Sequence, residues 1–368
     1  MPEPFRYRRI FTYGSSQFCG HIEAYWAAHT QDLLVYVVEP RISKHQNVIR
    51  IYHEGHFVSE TPVRSSQTII GYYALWYLNH LCALLRFSTH SERTLVLGSH
   101  PIAFLGMSLI KLIRPLVYAY WIGDYFSDER RIVVLFERVK KWYHARVSFT
   151  FYLSDAINRV MNGHIAACPS HRTVMWGLKA CSEEAVPPAV PFTLLFVGLI
   201  RPGQGLETIT GFLQMHEGFR LCLIGVGQPV YVKQLQDLIA QRKLGDRIFF
   251  PNRFYSEEEL VSVARTCHVG IALYDNSPDN FTHYADPGKV KAYAEMHLPV
   301  LMTRVSDIVS YVERFGSGEV IGSIDEIHAA LEKMSKNYSL YRDGVRRFIS
   351  HFEYERYYRN AFAALEDI

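Results

Sequence analysis

The stretch "YADPGKVKAYAEMHLPV", residues 284–300, decides how the chain is read. Asp286 is suited to an N-cap and Pro287 to the first helical position, so a helix is expected to open here. Gly288 and Lys289 fall in its first turn. The backbone amides leading to Val290, the helix dipole and the Lys289 ammonium together make a place where a phosphate can be held. An ionised Asp286 at the same end would repel that phosphate unless it points away or the phosphate sits to one side. A well-capped helix carrying a surface lysine accounts for the same residues equally well. The helix is followed by a strand beginning at the Pro-Val pair.

Outward from this stretch, strand-like apolar runs alternate with helical segments. In the first half the strands are "RRIFTY", "DLLVYVV", "TLVLGS", "LVYAYWI" and "VSFTFYLS", with helices expected at 20–29, 66–87, 101–113, 129–144 and 155–163. These strands are continuous apolar runs, which predicts a parallel sheet with both faces covered. "ACSEEAVPPAVP" (180–191) breaks the rhythm and reads as a linker. The alternation restarts with "FTLLFVG", "RLCLIGVG", "RIFFPN", "VGIALYD", "PVLMTR" and "EVIGS". "SEEE" (256–259) is a capping box in which Ser256 and Glu259 exchange hydrogen bonds with each other's backbone. The fold class expected is α/β, with two doubly wound Rossmann-like domains facing a cleft. Their bounds are 1–180 and 192–340, and a C-terminal helical segment, 341–368, packs back towards the first domain.

The bulk numbers fit this. The chain has 368 residues, 49% apolar and 20% charged, and a net charge of +3, which points to no nucleic-acid partner. Residues 1–190 carry 20 Lys and Arg against 14 Asp and Glu, whereas residues 191–368 carry 19 against 22. The basic half is either turned towards something anionic or merely has uneven solvated faces. Six scattered cysteines without a C-x-x-C suit a reduced, cytoplasmic protein, and the 17 histidines show no paired ligand spacing, so no metal is expected. The start, "MPEPFRYRRIFTYG", has no signal-peptide pattern. The uncharged run 69–85 is broken by Asn79, His80 and four aromatics and reads as a buried or interfacial helix.

Two glycine loops follow strands. In "FVGLIRPGQGLETI" (196–209) a strand ends at Gly198, and Arg201, Gly203, Gln204 and Gly205 precede a helix. This is either an ordinary βα turn or an anion-binding loop in which Arg201 supplies a bidentate charge. "LIGVGQPV" (223–230) has a G-x-G but lacks the third glycine of a dinucleotide fingerprint, since the motif would continue at Tyr231.

In order and spacing, "LLFVGLIRPGQGLETI", "RLCLIGVGQ", "RIFFPNRFYSEEELVSVARTCHVGIALYD" and "DPGKVKAYAEMHLPV" resemble the nucleotide-sugar-binding domain of GT-B-fold glycosyltransferases of the group-one type. The resemblance covers about residues 192–315. It implies a donor site made by Gly198, Arg201, Gln204, the base-recognition loop with Arg253 and Phe254, and Asp286, Gly288, Lys289 and Val290. The motifs also depart from the family. Its two diphosphate-holding cations fall on Leu199 and Gln204, its paired glutamates on Tyr284 and Ala292, and a customary glycine on His297. Arg201 stands two residues beyond the first of these places, and D-P-x-K is a familiar variant among polysaccharide-type members, which gives Lys289 a role.

The first domain would then bind the acceptor. In "YGSSQFCGHIEAYW" (13–26), Gly14, Ser15, Gly20 and His21 resemble the family's acceptor loop. His100 in "LGSHP" and Asp124 in "YWIGDYFSD" end strands, where they either cap turns or act catalytically by orienting or deprotonating an acceptor hydroxyl. "DERRIVVLFERVKKWYHAR" (128–146) is a basic amphipathic helix, either solvated or laid on an anionic membrane. The resulting expectation is a cytoplasmic, retaining glycosyltransferase in polysaccharide or glycoconjugate synthesis. It would have no cofactor beyond a UDP- or GDP-linked sugar, a glycan or lipid-linked acceptor, and peripheral contact with the inner membrane face. A GT-B protein that binds without catalysis and a sugar-nucleotide epimerase are the rival readings.

Overall fold

The computed structural model describes residues 7–14, 20–39, 46–127, 130–181, 191–275 and 280–365. The chain forms two compact units. One comprises Met1–Gly177 with Tyr354–Ile368, and the other Leu178–Glu353.

In the first unit, β1 (Arg9–Gly14), α1 (Ile22–His29), β2 (Asp32–Val37), β3 (Val48–His53), β4 (His56–Pro62) and α2 (Ile69–Phe87) come first. They are followed by β5 (Thr94–Gly98), a 3-10 turn (Pro101–Phe104), α3 (Met107–Ile113), β6 (Leu116–Ile122) and α4 (Arg131–His144). Then come β7 (Phe149–Tyr152), α5 (Asp155–Asn162) and β8 (His171–Thr173). The sheet order is β4-β3-β2-β1-β5-β6-β7-β8. The all-parallel expectation is corrected at one edge, where β3 and β4 form an antiparallel hairpin on β2. That hairpin is half-exposed to exposed, so it lacks the apolar runs that mark the other strands. β5 and β7 are buried throughout because helices cover both faces. Crossovers between parallel strands are right-handed, so α2, α3, α4 and α5 share one face of the sheet and α1 lies on the other. On the α1 face the chain's last helix, α13 (Tyr354–Phe362), packs Phe362 against Trp26 at 4.7 Å between ring centroids.

The second unit is a six-stranded parallel sheet, with strand order β11-β10-β9-β12-β13-β14. In chain order it contains β9 (Phe192–Val197), α6 (Leu206–Met215), β10 (Phe219–Ile224), α7 (Pro229–Gln241), β11 (Ile248–Phe249), α8 (Glu257–Ala264) and β12 (Val269–Ala272). There follow α9 (Gly288–Glu295), β13 (Val300–Thr303), α10 (Ile308–Phe315), β14 (Gly318–Ile321), α11 (Ile327–Lys336) and α12 (Tyr338–Phe352). The order reverses direction between β9 and β12, and the crevice at their carboxyl ends is where such a sheet takes ligands. The capping box at α8 forms, with Ser256 accepting from the Glu259 amide and Glu259 accepting from the Ser256 amide. The chain passes to the first unit at Tyr354 rather than at 341, because α12 packs Phe352 against Tyr311 of α10, with ring centroids 5.1 Å apart. Residues 182–190 of the expected linker lie outside the described residues. Among the described residues no helix is long and apolar enough to cross a membrane.

Candidate donor site

The loop after β9 is set by glycines. Gly198 has φ +142, and a Cβ there would lie 3.8 Å from the Lys289 ammonium, so the glycine faces that lysine directly. The G-x-G after β10 is used for backbone approach. The Gly198 amide donates to the Ile224 carbonyl at 3.1 Å and the Ile200 amide to the Val226 carbonyl at 2.8 Å. A side chain on Gly225 or Gly227 would collide with the carbonyl of Gly198 or Ile200. Gly203 accepts from the Asp275 amide at 3.2 Å, and Gly205 packs on Leu273, which ties this loop to the one after β12.

Into this corner comes the start of α9. The helix begins one residue later than the sequence predicted. Pro287 is its N-cap without a side-chain cap bond, so Asp286 is not the cap. Asp286 is instead fully buried 3.7 Å from the buried Lys291 ammonium, which in turn stacks over the Phe352 ring at 3.2 Å. The expected donor contact from Asp286 is thereby corrected. Its charge is paired internally, which removes the repulsion a phosphate would meet. Val290 is corrected as well, because its buried amide donates to the Pro287 carbonyl at 2.9 Å. The amides of Gly288 and Lys289 have no partner among the described residues.

Lys289 donates to Gln204 Oε1 at 2.5 Å, with its ammonium 4.1 Å from the Phe196 ring centroid and 4.9 Å from that of Tyr274. Among the described residues no carboxylate pairs with it. Enclosure first, and the Arg201 guanidinium second, pull its pKa down to about 7. Arg201 lies over the Phe281 ring at 5.1 Å and likewise has no carboxylate partner among the described residues. Two cations are thus held together above the carboxyl ends of β9 and β12, at an energetic cost that an anion would offset. Gln204, read as the loss of a cation, has become the hydrogen-bond partner that aims the remaining one.

The rest of the expected donor set is placed elsewhere or is otherwise engaged. Arg253 makes a two-pronged pair with Glu259 at 2.7 and 3.0 Å and stacks on Tyr255 at 4.0 Å, while Phe254 is exposed on the same loop after β11. Sequence reasoning missed Tyr293. One turn beyond Lys289, its buried hydroxyl donates to the Ile271 carbonyl at 2.9 Å and accepts from the Val197 amide at 3.1 Å. It joins the ends of β9 and β12, and Gly270 leaves room for its ring. Tyr293→Phe strands both backbone groups and is expected to cost about 1–3 kcal/mol, read from urea unfolding.

In the first unit, Gly14 ends β1, where a Cβ would press on Val35 and come 3.7 Å from Glu23 Oε2. Ser15 lies outside the described residues. Gly20, with φ +95, is held by the fold itself, since its carbonyl accepts from Tyr358 at 2.6 Å and Trp176 fills the space beside it. His21 is left-handed, with φ 53, and precedes α1. His100 caps the 3-10 turn by accepting the Ile102 amide on Nδ1 at 3.2 Å, with Trp76 4.5 Å away. Burial and Lys140 lower its pKa to about 4. The imidazole is therefore neutral with its proton on Nε2, a donor and not a base, which corrects one of its two expected roles. Asp124 keeps an exposed side, yet the surrounding protein raises its carboxyl above the usual range, with Lys140 opposing. Among the described residues no group of three or more His, Cys, Asp or Glu is arranged to hold a metal.

Residues 237–365 match the sequence model of the "Glucosyltransferase 3-like, C-terminal domain" family. Among curated proteins no sequence matches the chain. Among solved structures, a sucrose-phosphate synthase from Thermosynechococcus elongatus is similar with a TM-score of 0.71 and 14% identity, over 97% of this chain and 100% of that one. HepE from Anabaena, in complex with UDP, gives 0.67 and 14% over 98% and 100%. The trehalose-6-phosphate protein from E. coli, bound with UDP-2-fluoro glucose, gives 0.67 and 11% over 98% and 99%. The fold is that of the GT-B glycosyltransferases.

Proposed function

We propose that the chain is a glycosyltransferase that moves a sugar from a UDP- or GDP-linked donor to a glycan or lipid-linked acceptor in polysaccharide or glycoconjugate synthesis, with the anomeric configuration retained. The carrying observation is the pair of cations, Lys289 set against Gly198 at the start of α9 and Arg201 near enough to lower its pKa, neither with a carboxylate partner among the described residues. The family match and the nucleotides in the similar structures support the same reading. As the bond between the sugar and the diphosphate breaks, negative charge grows on the leaving phosphate, and stabilising it is the main task of such a site. Lys289, the α9 amides and Arg201 do this, while Gly198 lets the diphosphate approach the backbone. The acceptor hydroxyl attacks the sugar carbon and loses its proton. Asp124 receives or directs that proton, and His100 donates from Nε2 to orient the hydroxyl. We assign the enzyme to the cytoplasm, in peripheral contact with a membrane.

The test is thermal shift against a nucleotide-sugar panel, followed by calorimetry. One UDP- or GDP-sugar is expected to raise Tm, because a ligand that binds only the folded state stabilises it. The pH dependence is specific. Lys289 titrates near 7 in the empty site, and a bound diphosphate raises that value. Binding therefore takes up a proton above pH 7, and affinity falls as pH rises through 7, by up to about tenfold per unit. Both phosphates of a nucleotide-sugar are diesters with no ionisation near neutrality, so they add no opposing trend. Lys289→Met is expected to flatten the profile. No shift with any donor, or a flat native profile, would overturn the assignment.

A further inference from the structure

The faces of α2, α3 and α4 turned away from the sheet carry apolar side chains where charged ones are expected. On α4 the pattern is inverted. Glu137 and Lys140 are buried and paired at 3.0 Å, whereas Ile132, Leu135, Val139 and Trp142, spaced along one side, are exposed, Ile132 at 70%. On α3, Leu109 and Leu112 are 71% and 81% exposed, and on α2, Ile70 is 82% exposed. The 3-10 turn that leads into α3 touches both α2 and α4. Tyr77 of α2 donates to the Leu105 carbonyl at 3.4 Å, and Phe104 meets Tyr143 of α4 at 5.6 Å between ring centroids. A soluble monomer rarely exposes so many large apolar side chains on neighbouring elements without a partner for them.

The charges around this surface identify the partner. Lys111, Arg131, Arg138, Lys141 and Arg146 are exposed, and the one carboxylate on the three helices is the buried Glu137. Arg146 lies over the Trp142 ring at 3.9 Å, which sets an indole and a cation side by side as at a membrane–water interface. A second copy of the chain docked here by two-fold symmetry would bring these cations against one another with no exposed acid on the three helices to answer them. An anionic bilayer supplies both the apolar interior and the negative surface.

We infer that the α2–α3–α4 face lies on an anionic lipid bilayer, with Leu112, Ile132 and Trp142 entering the interface and the five cations meeting the headgroups. Acceptor delivery from the membrane rests on the transferase reading, but the surface itself does not.

Vesicle co-sedimentation of the full chain without nucleotide-sugar tests it. Binding is expected to vesicles containing about a third phosphatidylserine, to be weak on phosphatidylcholine alone, and to be lost in about 1 M salt, where screening is nearly complete. Arg138→Gln with Lys141→Gln is expected to weaken binding about thirtyfold, roughly fivefold for each cation. Leu112→Asp should weaken it about tenfold or more. Both variants alter exposed positions, and an unchanged melting curve confirms that they fold. Equal binding to both vesicle types, or sedimentation showing a dimer that Leu112→Asp splits, would overturn the inference. Failed vesicle binding beside an intact nucleotide-sugar Tm shift removes only this surface. The opposite result removes the transferase reading and leaves the surface standing.

Discussion

Lys289→Ala is expected to abolish most sugar transfer while leaving the protein at least as stable as before. Among the described residues the ammonium is the one cation set against both the Gly198 loop and the first turn of α9, so it meets the leaving phosphate where charge develops. Removing a preorganised donor of that kind costs about 10²–10³ in kcat, or about 2.7–4 kcal/mol. Arg201→Ala, which removes a half-buried neighbour, is expected to cost about tenfold. Stability should move the other way. Enclosure and Arg201 depress the Lys289 pKa to about 7, so at neutral pH the folded state binds this proton less readily than the unfolded chain. By linkage, the group penalises folding below its unfolded pKa, and that penalty grows as pH falls towards 7. Alanine relieves the penalty, so Tm is expected to hold or rise while nucleoside diphosphate release in the transfer assay collapses. A variant that loses both together would make Lys289 a structural residue. A native protein that binds a donor tightly but never releases its nucleoside diphosphate would be a non-catalytic binder.

Much of this site was legible in the sequence because it is built from local signals. A strand, a glycine loop and a helix start are written in consecutive residues, and Lys289 lies in the first turn on the strength of Pro287 and Gly288 alone. What could not be read are the effects of residues distant in the chain. Whether Asp286 repels a phosphate depends on Lys291 and Phe352, and the loss of a cation at Gln204 is compensated only because Lys289 reaches it across 85 positions. Tyr293 looked like one more apolar helical residue, and its two backbone bonds exist only once β9 and β12 are neighbours. The β3–β4 hairpin escaped because an exposed edge needs no apolar pattern. On α4 the sequence shows amphipathicity but not which apolar residues face out, and the buried Glu137–Lys140 pair leaves Ile132, Leu135, Val139 and Trp142 exposed. At His297 the two views agree. The customary glycine is absent, yet the backbone keeps the left-handed conformation, φ 59, with the ring bonded to the Cys181 carbonyl at 2.9 Å.

Gly225→Ala is expected to unfold the second unit or displace its donor loop, at a cost above about 4 kcal/mol, the range reserved for a named structural conflict. Two penalties add at this position. Its φ of +149 is one that only glycine adopts comfortably, and the new Cβ would fall on the Gly198 carbonyl oxygen, a backbone atom with no rotamer to escape into. Relief requires Gly198 to move, and with it the Ile224 and Val226 hydrogen bonds that fix the loop opposite Lys289. A variant that stays folded should therefore bind nucleotide-sugars poorly although no donor-contacting residue has changed. Gly203→Ala separates strain from collision. It has φ +76, but its Cβ would meet nothing nearer than Asp275 Cβ at 3.8 Å, so only about 1–2 kcal/mol is expected. Gly218→Ala, with open space around it and no left-handed φ, should be neutral or slightly stabilising through the unfolded chain. Urea unfolding of the three variants, each repeated with the best nucleotide-sugar, gives the ranking. Equal costs for Gly225 and Gly203 would mean that the β9 loop does not thread against the β10 turn, and the placement of Gly198 beside Lys289 would fail with it.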